Sequence, residues 1–412
     1  MADFHQTGSI GTLHRLGETD LEQLERELLN HIKNGPIALV LPCLYSELQG
    51  KAIHKIVGEL KKVQYLDQIV LSMDQMDEGQ FRHAAEFFSV LPQNVNIIWH
   101  DGPRMHSLMQ DLKQNELTIG DQGKGRGSWF SFGYVLACRR AKSIVLHDCD
   151  IVSYSRELLA RLCYPIANQS LGYEFCKGYY ARYGDRLYGR VTRLFVTPLI
   201  QALMKLVGHT PLLEYLDSFR FPLAGEFAMT ADLARVNRIP GDWGLEIGIL
   251  CEVYRNCSLK RVCQVDLVDN YEHKHQKLSP RDPSQGLMKM AVDIADSLLR
   301  TLATEGAIMS DAFFRTLTTA YQRSAEDIIK RYNDDAAING LAFDRHSETR
   351  AVETFRRALE IATKRFLKDP HGALLIPNWN RVTAAVPDVL DRLFEVVEED
   401  NAMVRQESAV SR

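Results

Sequence analysis

Two aspartates one residue apart, Asp148-Cys149-Asp150, follow the apolar run Ser143–Leu146. Their type and spacing suggest chemistry before anything else in the chain does. A four-residue run rich in β-branched side chains reads as a buried strand, with a helical segment as the competing reading. At a strand end, residues i and i+2 point to the same side, so the two carboxylates repel unless a cation or a set of donors sits between them. A hard divalent ion bridging to a diphosphate meets that need, because magnesium-type ions take a few carboxylates and keep the rest of their shell for phosphate and water. A solvated corner between strand and loop, where Asp is common, is the alternative.

Other groups widen the case. Gly123-Lys124-Gly125-Arg126-Gly127 precedes an apolar helix at 129–138. Glycines before a helix let backbone N–H groups approach an anion; a flexible turn is the other reading. Neither the P-loop spacing nor a G-x-G-x-x-G after the first strand is present. Further on, Gly189-Arg190-Val191-Thr192 opens a helix in a stretch that also holds Lys177, Arg182, Arg186 and Arg193 among five tyrosines. Such N–H groups, a hydroxyl and a guanidinium together suit a phosphate or carboxylate. Glu226 and Glu246 each stand among apolar neighbours, as a helix cap or as an oriented functional group. His273-Lys274-His275 follows the run Val262–Val268 and either offers an imidazole to a metal or is structural.

Positioning these groups requires a scaffold. Apolar strands at 37–41, 68–73 and 95–99 alternate with helices at 20–34, 48–62 and 77–89, which predicts a parallel sheet covered on both faces. Ligands bind such sheets beyond the carboxyl ends of the strands, and 41–47, Met73-Asp74 and Asp148-Cys149-Asp150 are all polar exits of that kind. A helix at about 155–167 and a strand-like run at 171–180 come next. From residue 283 the character changes: 285–304, 309–333, 347–367 and 386–405 all show helical periodicity with charged faces. These helices are expected to pack on the catalytic part or on another subunit, with the last dozen residues disordered.

A chain of 412 residues suggests two domains, or one large α/β domain with an appendage. Its net charge of −4, with no basic stripe, gives no reason to expect nucleic acid. The eight cysteines form no C-x-x-C pair, which speaks for free thiols in a reducing compartment. No basic start followed by an apolar core marks the first residues as a signal peptide. Arg193, Pro198 and Lys205 interrupt the most apolar long segment, 191–208, so stable membrane insertion is not expected. A cytoplasmic protein is expected.

In chain order, Leu41-Pro42-Cys43-Leu44, Gly123-Lys124-Gly125, Asp148-Cys149-Asp150, Gly189-Arg190-Val191-Thr192, Pro222-Leu223-Ala224-Gly225-Glu226, Leu245-Glu246-Ile247-Gly248 and His273 resemble a known family. This is the glucosyl-3-phosphoglycerate synthases, retaining glycosyltransferases of the GT-A fold, and the likeness spans roughly residues 36–280. The resemblance implies an α/β GT-A fold, a Rossmann-like, mostly parallel sheet flanked by helices, here with an α-helical C-terminal extension. It divides the chain into an N-terminal helical arm (1–35), a catalytic domain (36–282) and a helical region (283–412). Within the catalytic domain, a nucleotide-sugar half spans about 36–152 and an acceptor half about 153–282.

The implied reaction moves glucose from an NDP-glucose, UDP-glucose foremost, to 3-phosphoglycerate. By resemblance, Pro42, Cys43, Leu44, Glu47, Ser72, Lys124, Asp148 and Cys149 hold the nucleotide sugar, with Asp148 on the ribose. Asp150 and His273 bind Mg2+ (or Mn2+/Co2+), and Glu246 meets the glucose hydroxyls beside Leu223. Lys177, Gly189, Arg190, Val191 and Thr192 take the acceptor. Two departures from the family pattern stand out: Tyr45-Ser46-Glu47 replaces Asn-Glu-Glu, and Lys274-His275-Gln276 replaces Arg-Asn-Arg. No catalytic nucleophile is identified, and a homodimer is expected. Two rival readings stay open, a related transferase using GDP-mannose or free glycerate and a nucleotide-sugar-binding protein without turnover.

Overall fold

The computed structural model describes residues 6, 8–273, 277–372 and 375–410. Eight strands form one sheet in the order β1-β8-β6-β7-β5-β2-β3-β4. They are β1 Gly11–Leu13, β2 Ile37–Leu44, β3 Gln68–Asp74, β4 Asn94–Trp99, β5 Ser143–Leu146, β6 Phe175–Tyr180, β7 Phe227–Thr230 and β8 Val262–Val268. Helices α1 Leu21–His31, α2 Lys51–Leu60, α3 Glu78–Phe88, α4 Pro103–Gln114, α5 Lys124–Cys138 and α6 Arg156–Ala167 alternate with the first strands. The chain continues through α7 Thr197–Val207, α8 Pro211–Asp217, α9 Ala231–Val236 and α10 Leu245–Asn256. Five more helices follow the last strand: α11 Gly286–Thr304, α12 Asp311–Ile338, α13 Arg345–Lys368, α14 Trp379–Ala385 and α15 Val389–Val410.

Side-chain alternation along the central strands builds two cores. Ile37, Leu39 and Leu41 of β2 pack with Leu28, Ile53, Phe81 and Leu158 on one face. Ala38 and Val40 join Trp129, Leu199, Leu298, Phe355 and Trp379 on the other. The second set includes residues of α11, α13 and α14, so the C-terminal helices share a core with the sheet and pack on the catalytic part. Trp129 of α5 stacks on Trp379 of α14 at 4.2 Å, a contact worth about 0.5–1.5 kcal/mol beyond the area it buries.

Several details differ from the sequence expectations. β1, ahead of α1 in the N-terminal arm, pairs in parallel with β8 and extends the sheet. β7 runs antiparallel to both β5 and β6, so the sheet is mostly, not wholly, parallel. Most of the last dozen residues, expected to be disordered, belong to α15. Buried Asn401 of α15 closes the sheet's β4 edge: its Oδ1 accepts from Ile97 N at 2.9 Å and its Nδ2 donates to Ile97 O at 2.8 Å. A ladder edge with these groups paired has a reason to stay ordered.

Candidate active site

Strands β5, β2 and β3 are parallel neighbours and end on the same edge of the sheet. Beyond that edge lies a cleft of ≈ 930 Å³. Strand direction changes at this point, because β5 is parallel to β2 but antiparallel to β7. The exits deliver Pro42, Cys43, Leu44 and Glu47 from β2, Ser72 and Asp74 from β3, and Asp148, Cys149 and Asp150 from β5, all on the cleft wall. Leu223, Glu246, His273 and Gly189 through Thr192 line it too. Gly225, just before β7, leaves room for Asp148, since a Cβ there would overlap the carboxylate.

The glycines around Lys124 work differently from either expectation. Helix α5 begins at Lys124 itself, so Gly125 and Gly127 are buried helical residues and form no loop. A Cβ at Gly127 would lie 2.5 Å from Ser72 Oγ, and glycine lets the helix start seat against the end of β3. Of the five residues, Gly123 and Lys124 line the cleft. Arg126 turns toward Asp74 at 3.7 Å.

Charge in the cleft is unevenly compensated. Lys124 Nζ lies 2.6 Å from Asp148 Oδ1 and donates to Glu246 Oε1 at 3.0 Å. Burial by itself would lower the ammonium, but the two carboxylates outweigh it and the net direction is up. For Asp148, burial pushes up and Lys124 pulls further down, so the carboxyl ends below its ordinary range. Asp150 is pushed up to about 7 by burial and by the neighbouring Asp148; its Oδ2 lies 3.8 Å from His273 Nδ1. Beneath them, fully buried Glu226 accepts from Tyr180 Oη at 2.7 Å and from Tyr271 Oη. Burial, followed by Asp148, raises Glu226 as well.

Lys177, expected among the acceptor's cations, is fully buried and is not on the cleft wall. Every residue of β6 is buried, so the strand has no solvent face to present it from. Its Nζ sits 5.4 Å over the Phe227 ring, with no hydrogen-bond partner among the described residues. Burial pushes it down to about 8, against the pull of Glu246 and Glu226. Lys124 and Lys177 therefore share their surroundings with four carboxylates, Asp148, Asp150, Glu226 and Glu246. Glu47 adds a fifth carboxylate near Asp150, so carboxylates outnumber the two lysines, an excess that a divalent cation would partly offset. Among the described residues no three His, Cys, Asp or Glu side chains converge into a closed metal site. An ion held by Asp150 and His273 would complete its shell with diphosphate oxygens and water, and this donor set fits such an ion. Lys274, His275 and Gln276, with the second histidine of the pair, lie outside the described residues.

Another stretch of the wall carries four cations, with Arg186 paired to Asp185 and Lys289 to Asp293. Gly189, at φ +72°, makes the turn into a helix that is helical from Arg190, passes through a π-helical turn at Thr192–Val196 and continues as α7. Arg182, Arg186, Arg190 and Lys289 all line the cleft. Sequence reasoning missed Lys289, Leu287, Met290 and Ile294, which α11 brings to the wall from the C-terminal helices; helical periodicity carries no signal for where a helix docks. Trp243 and Asp242, also on the wall, stand directly before the Glu246 motif and were within reach.

No protein-family profile matches the chain. A glucosyl-3-phosphoglycerate synthase of Persephonella marina is 50% identical over 402 residues, covering 98% of this chain and 100% of that protein. One from Methanococcoides burtonii is 39% identical over 399 residues, 95% and 96% of the two chains. Among solved structures, glucosyl-3-phosphoglycerate synthase of Mycobacterium tuberculosis in complex with Mn2+, UDP-glucose and phosphoglyceric acid superposes with a TM-score of 0.53. That match, at 22% identity, covers 73% of this chain and 89% of the other, and it supports the fold.

Proposed function

The chain belongs to the glucosyl-3-phosphoglycerate synthase family, and from that premise we propose that it transfers glucose from UDP-glucose to 3-phosphoglycerate in the cleft beyond β2, β3 and β5. One observation carries the reading: the half-buried carboxylates of Asp148 and Asp150 and the cations of Arg186, Arg190 and Lys289 line a single cleft. The first suits a cation-bound diphosphate, the second a small, highly anionic acceptor. The names of the relatives support the donor and acceptor, since the mycobacterial enzyme is described with UDP-glucose and phosphoglyceric acid.

In this reading Pro42, Cys43, Leu44, Glu47 and Ser72 hold the nucleotide, and Asp148 takes the ribose. Asp150 and His273 would hold Mg2+ or Mn2+, which when bound would stabilise the charge that develops on the leaving diphosphate. The bond from the anomeric carbon to the β-phosphate oxygen breaks with its electron pair leaving on UDP, while the one free hydroxyl of 3-phosphoglycerate bonds to that carbon and gives its proton to the departing diphosphate oxygen. Glu246, already tied to Lys124, orients the glucose hydroxyls beside Leu223. Gly189, Arg190, Val191 and Thr192 grip the acceptor. Holding two substrates in register replaces a bimolecular encounter, which is worth roughly 7–11 kcal/mol in the best cases. Eight free cysteines support a reducing, cytoplasmic setting, and among the described residues no helix is long and apolar enough to cross a membrane.

The withdrawal of Lys177 from the wall favours a second reading, free glycerate as acceptor, because fewer cations then face it. Product formation from a panel of sugar nucleotides against 3-phosphoglycerate and glycerate, with and without chelation, separates the two. Preference for glycerate, or for GDP-mannose as donor, would overturn the first reading.

A further inference from the structure

The arginine on the acceptor wall is held from behind by the C-terminal helices. Arg190 Nε donates to Glu348 Oε1 at 2.8 Å and its Nη2 to Ser347 Oγ at 2.9 Å. Both partners lie in the first turn of α13, which Asp344 caps by accepting from Ser347 N at 3.0 Å. Glu348 is buried, and its second oxygen lies 2.9 Å from Arg193 Nη1. Arg193 in turn donates from Nε to Tyr188 O at 2.7 Å and from Nη2 to Leu187 O at 3.3 Å. The segment leading into α13 also clasps the same loop: Ala342 N donates to Asp185 O at 2.8 Å and Ala342 bridges Arg186.

We propose that Glu348 is the positioning residue of the acceptor site. Resting on the assignment of Arg190 to the acceptor, the inference is that one buried carboxylate sets both the direction of Arg190 and the shape of the 185–189 loop beside it. A guanidinium has five N–H donors in a fixed fork. Two are spent on Glu348 and Ser347, which fixes the plane of the fork and leaves three for an anion. The carboxylate also sits between two guanidiniums that would otherwise repel at close range. Without it Arg190 keeps its charge but loses its orientation, and a grip that depends on geometry weakens more than one that depends on charge alone. Acceptor recognition is thereby built by the helical region as well as by the catalytic sheet.

The experiment is a double-mutant cycle on the full-length enzyme with Glu348→Gln and Arg190→Ala, reading KM for 3-phosphoglycerate and kcat, with affinity for UDP and Mn2+ measured by calorimetry. Glu348→Gln should raise the acceptor KM about tenfold, the scale of one charge-assisted hydrogen bond, with kcat changed less. UDP affinity should stay within roughly twofold of wild type. In the Arg190→Ala background the same substitution should have little further effect on KM, because its target is gone. Should Glu348→Gln fold poorly, Ser347→Ala removes only the Nη2 bond and should reproduce the selective KM effect at smaller size, again suppressed by Arg190→Ala. Equal losses of UDP and acceptor affinity, an unchanged KM, or an undiminished effect without Arg190 would each overturn the proposal. Wild-type failure to use 3-phosphoglycerate would sink the proposed function instead, and the cycle is then read on whichever acceptor of the panel turns over. A chain that glucosylates none of them overturns both.

Discussion

Asp150 and His273 meet at 3.8 Å at the exits of two different strands, and their replacement tests the metal assignment directly. Asp150→Ala and His273→Ala should each lower turnover roughly a hundredfold or more, because several kcal/mol of Lewis-acid stabilisation are lost at ~1.4 kcal/mol per factor of ten. Circular dichroism and melting temperature should stay near wild type, and wild-type activity surviving thorough chelation would remove the assignment. Glu246 makes a second test. It accepts from Lys124, so Glu246→Gln keeps shape and one acceptor oxygen but loses charge-assisted bonds of about 1.5–3 kcal/mol each. A kcat/KM loss on the order of 10–100-fold is expected, with UDP binding unchanged; a fall in melting temperature with every ligand weakened alike would make Glu246 structural. That Asp148, Asp150 and Glu246 lie together on one cleft was legible because each ends or begins an element with a clear pattern. Lys177 was misread for a physical reason: composition shows a basic neighbourhood but not which way a side chain faces, and a strand buried on both faces has no alternation to reveal it.

At the scale of elements, strong periodicity located most helices and the longer strands, whereas β1 has only three residues and β7, Phe-Ala-Met-Thr, lacks the Ile-Val run that marks the equally short β5. The start of α5 was placed five residues late because glycine has poor helix propensity and reads as a loop. Close approach overrides that preference: Gly127 faces Ser72, whose Oγ is 2.8 Å from His100 Nε2. Gly127→Ala should therefore push α5 off the end of β3, destabilising the fold by about 1–3 kcal/mol. It should also weaken UDP binding, since Ser72 and Lys124 are moved together. Urea denaturation and calorimetry check the two halves, and normal UDP affinity in a destabilised variant would detach the seat of α5 from the nucleotide site.

For the molecule as a whole, stability should carry a pH signature from His100. Burial, and next Arg126, push its imidazole down to about 3. The folded state thus binds fewer protons than the unfolded chain between that value and 6.5. Its contribution is complete above the unfolded value and is lost as pH falls through the window. Half-buried acids such as Asp296, which desolvation raises to about 6, act in the opposite sense, so the informative quantity is the difference between wild type and His100→Gln. By pH 5 that difference should have shrunk by about 2 kcal/mol relative to pH 7.5, as read from urea midpoints; a difference independent of pH would contradict a neutral buried imidazole. What no local pattern disclosed was where the C-terminal helices dock, because that depends on contacts hundreds of residues apart. The clasp of Asn401 on Ile97 spans 304 positions, and time gives that distance a meaning. At roughly 5–20 residues per second of synthesis, the rim of the sheet waits about 15–60 s for its cover to be translated. Throughout that interval each ribosome on a message displays the same uncovered strand edge to its neighbours on the polysome, and an uncovered edge is a template for pairing with copies of itself.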